Sequence, residues 1–291
     1  MKATLLHPSV CGLGEGPLWH KQRNSLFWVD ILAGRLFEYN WTTAQVQQWE
    51  VGHMISLVVP GKNKEEVILC MQGGVGRFNL LSGQLSPVTD LGLDWTTLRC
   101  NDGICDNQGR LWIGTTEIDH APAGGILYCI DAAHQAHERI PDVTISNGMA
   151  WSLDNKRLYH TDSVTHEIRS YIYKEETGEI IFEKVAVKVP EEKGTPDGFT
   201  IDKEGMLWVA LWGGFGVGRW NPDTGEMIGF VEVPVPNVSC CVFAGEQLDH
   251  LVITTARKEL SEQQLREYPD SGNVYMIKPG TNGVEAFDCV L

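Results

Sequence analysis

Leu26-Phe27-Trp28-Val29 sets a pattern that returns as Val67-Ile68-Leu69, Leu111-Trp112-Ile113, Leu158-Tyr159-His160, Leu207-Trp208-Val209 and Leu251-Val252-Ile253. Each run is short, apolar and supplied with aromatic or β-branched residues, the composition of a strand. The spacing is roughly forty to fifty residues, the length of one four-stranded antiparallel blade. Six such blades closed in a ring make a β-propeller, which brings distant parts of the sequence to one end of a central channel. The repeat runs from near residue 20 to the C-terminus. Residues 1–291 therefore read as one all-β domain, a six-bladed propeller of four-stranded antiparallel blades.

Around these runs the hairpin grammar is regular. Asp30-Ile31-Leu32-Ala33-Gly34 leads into Arg35-Leu36-Phe37-Glu38-Tyr39, a Gly-containing turn followed by alternating apolar and polar residues. Comparable units are Gly125-Ile126-Leu127-Tyr128 and Gly272-Asn273-Val274-Tyr275. Turns that open with Asp precede three of the apolar runs, at Asp106, Asp154 and Asp202. The single helical signal is Ser261-Glu262-Gln263-Gln264-Leu265-Arg266-Glu267, where Ser261 and Gln264 have capping-box spacing. It reads as a short helix inserted in the last blade.

Composition narrows the function. A formal net charge of −15 repels phosphate backbones, and no local basic cluster offsets it, so nucleic acid is excluded as a partner. No apolar run is long enough to span a bilayer, and the N-terminus has the wrong pattern for a signal peptide. Of the eight cysteines none forms a C-x-x-C pair, which argues for reduced, buried thiols in a cytoplasmic protein. A monomer is expected.

Polar motifs recur in register with the blades, immediately ahead of the innermost strands. They are Gly14-Glu15-Gly16-Pro17, Asn101-Asp102-Gly103, Ser146-Asn147-Gly148 and Pro196-Asp197-Gly198. Asx-Gly alone is a hairpin signal, but Glu15 is no turn former, and four equivalent positions converge at the mouth of a propeller. Glu15, Asp197, Asn101 and Asn147 would supply hard oxygen donors there. That set suits Ca²⁺ first and admits Mg²⁺, Mn²⁺ or Zn²⁺.

With these motifs, the chain resembles the regucalcin/gluconolactonase family (senescence marker protein, luciferin-regenerating enzyme-like). The resemblance extends over essentially the whole chain, and further carriers are Arg99-Cys100-Asn101-Asp102-Gly103, Gly109-Arg110-Leu111-Trp112 and Tyr159-His160-Thr161-Asp162-Ser163. It implies a propeller that holds one divalent metal and hydrolyses lactones of aldonic acids. The implied metal ligands are Glu15, Asn147 and Asp197. Arg99 and Asn101 are the implied substrate contacts, joined by an acidic residue beyond Gly114-Thr115, either Asp119 or Glu117.

Metal-assisted hydrolysis fits these parts, with Asp197 as candidate general base or a metal-bound hydroxide in its place. Two alternatives of other kinds stand beside it: a non-enzymatic calcium-binding regulatory protein, and an aryl-ester or phosphotriester hydrolase. No G-x-S-x-G elbow supports a serine esterase. The glycines at 213–218 read as a hairpin bend, Cys240-Cys241 as buried strand, and His160 and Ser163 as structural.

Overall fold

A computed structural model describes residues Met1–Leu291. Six four-stranded antiparallel sheets stand around one axis, each neighbouring the next in sequence. Five are built from consecutive strands, blade 1 beginning at Gly14–His20 and blade 5 ending at Met227–Glu232. Blade 6 is closed differently. It consists of Val238–Ala244, His250–Thr255 and Val274–Ile277, and its outermost strand is the N-terminal Thr4–His7. Pairing the start of the chain with its end ties the ring shut.

The recurring apolar runs are the second strand of every blade, at Ser25–Asp30, Glu66–Met71, Leu111–Glu117, Arg157–Asp162, Leu207–Trp212 and His250–Thr255. Each is covered on both faces by adjacent blades, so alternation gives way to continuous burial, and Trp28, Trp112 and Trp208 are almost wholly buried. The polar motifs were expected just ahead of the innermost strands. They lie inside them, at Gly14–His20, Leu98–Cys105, Ser146–Trp151 and Thr195–Ile201. The reason is that the motif glycines sit in bulged strands and not in hairpin turns.

Two of the three Asp-initiated turns, at Asp106 and Asp202, act as anchors. Asp106 accepts from the backbone of Gln108 and Arg110, from Trp112 Nε1 at 2.9 Å and from the Tyr173 hydroxyl at 2.9 Å. Asp202 repeats the device with Glu204, Met206, Trp208 Nε1 and Arg219. A buried carboxylate with this many donors fixes the turn to the core tryptophan beneath it. The expected helix is present at Glu262–Glu267 between two strands of blade 6, with both halves of the Ser261/Gln264 capping box formed. Residues 213–215 are indeed a hairpin connection, and all eight cysteines are free and buried. No helix is long and apolar enough to cross a membrane.

Candidate metal and substrate site

Every innermost strand carries a bulge at the same depth. The register slips between Glu15 and Leu18, Ile55 and Leu57, Cys100 and Gly103, Asn147 and Met149, Pro196 and Phe199, and Val238 and Cys240. A bulge frees one residue from the ladder and re-aims its side chain. Six equivalent positions follow from the register, each four residues before the partner of the second strand's first apolar residue. They are Glu15, Ser56, Asn101, Asn147, Asp197 and Ser239. Blades 1, 3, 4 and 5 thus offer carboxylate or amide groups to the axis, and blades 2 and 6 offer serines.

Glycine follows the functional residue in blades 1, 4 and 5 because neighbouring blades touch there. A Cβ on Gly148 would fall 2.0 Å from Phe199 Cδ1, and one on Gly198 would fall 2.3 Å from Cys240 Sγ. Gly16 adds a positive φ of 51°.

Two cavities occupy the axis. The one toward the C-terminal ends of the inner strands is about 490 Å³, with mainly apolar walls that include Leu57, Met149, Trp151 and Phe199. The one toward their N-terminal ends is about 330 Å³ and is lined by Glu15, Arg99, Asn101, Asn147 and Asp197 together. The structure therefore brings five of the seven residues singled out from the sequence into one cavity. Glu117 and Asp119 do not line it. Glu117 lies over Gly124, and Asp119 faces solvent. The residue that this loop sends to the cavity is His120.

A chain of hydrogen bonds orients the amides. Arg99 Nη1 donates to Asn101 Oδ1 at 2.6 Å, and Asn101 Nδ2 donates to Asn147 Oδ1 at 3.1 Å. Asn147 Nδ2 then donates to Ser163 Oγ at 3.0 Å, which donates to the Pro196 carbonyl at 2.8 Å. The oxygen of Asn101 thereby accepts from Arg99 and that of Asn147 from Asn101, which leaves Asn147 Oδ1 a second lone pair for another partner. Ser163 proves to be a cavity residue that holds Asn147, one step from the axis.

The carboxylates are poorly compensated. Burial first, then the charges of Asp197 and Asp102, push the Glu15 carboxyl well above its ordinary range. Burial and Asp102 do the same to Asp197. Asp197 Oδ1 is buried without a hydrogen-bond partner. Two desolvated carboxylates that face one cavity, with an orphaned oxygen between strands, fit a bound cation. No three His, Cys, Asp or Glu side chains are placed to hold a metal ion together, so such a cation would need an amide oxygen too. Glu15, Asp197 and Asn147 Oδ1 provide a hard, all-oxygen donor set of that kind.

Two cations line the same cavity. Arg99 is buried, and burial lowers its pKa to about 10. Lys258 also lines the cavity and donates to His120 Nε2 at 2.8 Å, while Glu259 accepts from Trp212 Nε1 at 3.1 Å. The sequence reading missed Lys258, His120, Glu259 and Trp212. Lys258 follows the second strand of blade 6 just as His120 follows that of blade 3, so a comparison of equivalent loops around the ring would have found it.

A propeller whose bulged inner strands aim carboxylates and amides into a polar axial cavity is a small-molecule site on a rigid scaffold. The chain belongs to the SMP-30/gluconolactonase/LRE-like family, whose model matches residues 13–257. It is 31% identical to the putative sugar lactone lactonase YvrE of Bacillus subtilis over 98% of this chain and 97% of that protein. It is 34% identical to regucalcin of Sus scrofa, covering 92% of this chain and 91% of the relative. A calcium-binding protein, regucalcin, from Agrobacterium tumefaciens has the same fold, with a TM-score of 0.94, 24% identity and 100% and 97% coverage.

Proposed function

We propose that the protein is a divalent-metal-dependent hydrolase of sugar lactones, with Ca²⁺ as the first candidate cation. The observation that carries the reading is that Asp197, one oxygen of which is buried without a hydrogen-bond partner, lines the same cavity as Glu15 and Asn147. These three residues would hold the cation. Once bound, it would act as a Lewis acid on the lactone carbonyl.

Each remaining step belongs to the chain's own groups. Arg99 has N–H donors on Nε and Nη2 that can orient ring hydroxyls, as a polyol substrate requires, while Asn101, whose two amide hydrogens go to the Ser146 carbonyl and to Asn147 Oδ1, holds Arg99 and Asn147 in place. Asp197 would take a proton from the attacking water. The water oxygen bonds to the carbonyl carbon, the ring C–O bond breaks, and the ring oxygen leaves as a hydroxyl after taking up a proton. The product is the open-chain acid. Support for the substrate class comes from the family and from the lactonase name of the Bacillus relative. A pocket of about 330 Å³ is at the small end of ligand sites, the size for a single sugar ring.

The test is acid release from D-glucono-, galactono-, arabino- and xylono-lactones at constant pH, with Asp197→Asn as the comparison. Turnover that the variant loses supports the assignment. Cation binding with no turnover of any lactone would move the protein to a calcium-binding role.

A further inference from the structure

Lys258 and His120 reach each other across the mouth of the cavity from opposite sides of the ring. His120 lies in the loop after the second strand of blade 3, and Lys258 in the corresponding loop of blade 6. In a six-membered ring these blades are diametrically opposed.

The hydrogen bonds around them fix the protonation states. Thr116 Oγ1 has carbonyl acceptors for its one hydrogen at Thr144, 2.9 Å, and Glu117, 3.2 Å, and so can accept from His120 Nδ1 at 3.3 Å, while the Lys258 ammonium can only donate. Nδ1 therefore carries the ring proton, and Nε2 is a bare acceptor for the Lys258 ammonium at 2.8 Å. Protonating His120 is opposed by burial, then by the charges of Lys258 and Arg99. The histidine is thus a neutral prop that holds a cation over the site.

Lys258 is under-compensated as a cation. One N–H goes to a neutral nitrogen, and its carboxylate neighbour Glu259 is 3.7 Å away, with the Glu259 side chain 54% exposed and tied to Trp212. Burial, then Arg99, lowers the Lys258 pKa, which places a second like charge within reach. With a dication on Glu15 and Asp197, those two carboxylates are neutralised, and Arg99 and Lys258 are left facing the cavity with one screened glutamate between them. A buried or half-buried pair of cations favours an anion that can be hydrogen-bonded by both.

We propose that the preferred lactone carries an ionised acid group on the carbon chain remote from its carbonyl, and that Lys258, propped by His120, selects it. This rests on the lactonase reading and specifies its substrate class. Carboxylate and phosphate share the required chemistry.

The experiment uses the full-length, cation-loaded protein and three lactones: D-glucono-1,5-lactone, its 6-phosphate, and the lactone of the corresponding 6-carboxylate. The wild-type protein is expected to favour an anionic lactone in kcat/KM, and the anionic arm that wins identifies the group. In Lys258→Gln the anionic-to-neutral ratio is expected to fall about 10- to 100-fold, the loss of one charged hydrogen bond, with the change in KM. Lys258→Arg should restore part of the ratio. A wild-type preference for the neutral lactone, or a ratio that Lys258→Gln leaves unchanged, overturns the proposal while the lactonase reading stands. If no lactone is turned over, that reading fails. Titration calorimetry with glucarate against gluconate then decides the anion site: a Lys258-dependent preference for glucarate upholds it, and equal binding overturns it.

Discussion

Replacing Gly148 by alanine is expected to damage the candidate cation site far more than the fold. The glycine is not at a positive φ, so alanine meets no backbone strain and the cost is steric alone. Its Cβ would lie 2.0 Å from Phe199 Cδ1, 2.4 Å from Cε1 and 2.6 Å from the Asp197 carbonyl oxygen. Ordinary contact begins near 3.4 Å, so the ring must withdraw by about 1.4 Å and the carbonyl by several tenths of an ångström. Phe199 belongs to one buried core cluster with Ala150, Tyr159 and Ile201 and cannot move alone. Overpacking of this kind costs about 1–3 kcal/mol of stability, which a closed propeller survives. Metal sites, however, tolerate ligand displacements of only about 0.2 Å. Because the displaced carbonyl belongs to Asp197 itself, cation affinity should fall at least about tenfold, or about 1.4 kcal/mol. Gly73→Ala is the control: its φ is +107°, and no atom lies within 4 Å of the new Cβ. It should cost about 1–3 kcal/mol of stability and leave affinity untouched. Calorimetric titration of Ca²⁺ into both variants, with thermal melts alongside, gives the answer. A Gly148→Ala protein that binds the cation like the wild type would refute the steric coupling between these blades.

Three further outcomes follow from the buried charges. The folded protein holds the Glu15 and Asp197 carboxyls above their unfolded pKa values, so folding takes up protons; metal-free stability should fall as pH rises above the ordinary carboxylate range, and added Ca²⁺ should restore most at the alkaline end. Melting curves across that range check the sign, and a metal-free protein that gains stability with rising pH would contradict it. His160, buried against Ser146 Oγ at 2.9 Å, has its pKa lowered to about 3 by burial and then by Arg169. Its neutral form should cost up to about 1.4 kcal/mol per pH unit as pH falls from 6.5 toward 3, and denaturant midpoints of His160→Gln should show a shallower acid limb. Asp106→Ala strands Trp112 Nε1, the Tyr173 hydroxyl and Arg110; a loss of about 3–5 kcal/mol in urea unfolding is expected, against under 1 kcal/mol for exposed Asp119→Ala.

The ring was legible because repetition is a strong signal: six apolar runs with matched turns leave little freedom in blade number. The candidate ligands were legible for the same reason, since Glu15, Asn101, Asn147 and Asp197 occupy one register position. Three features were hidden. Placing the motifs ahead of the inner strands failed because Asx-Gly in a bulge and Asx-Gly in a turn look alike along a single chain. Thr4–His7 completes blade 6 through a pairing with Val274–Ile277, and nothing local in Thr-Leu-Leu-His announces a partner so far along the chain. Lys258 and His120 meet only because the ring places their loops face to face. Counting within the 117–120 loop pointed at its acids, whereas the backbone, with His120 at a φ of +59°, turns the histidine to the cavity.

The central claim is that Glu15, Asn147 and Asp197 hold a divalent cation that lactone hydrolysis requires. Its most direct measurement is the rate of D-glucono-1,5-lactone hydrolysis by chelator-stripped protein before and after Ca²⁺ is added back. The account predicts no more than the spontaneous rate in the stripped protein, recovery on addition of Ca²⁺, and no recovery in Asp197→Asn. Full activity in the stripped protein, or equal recovery in the variant, would contradict it.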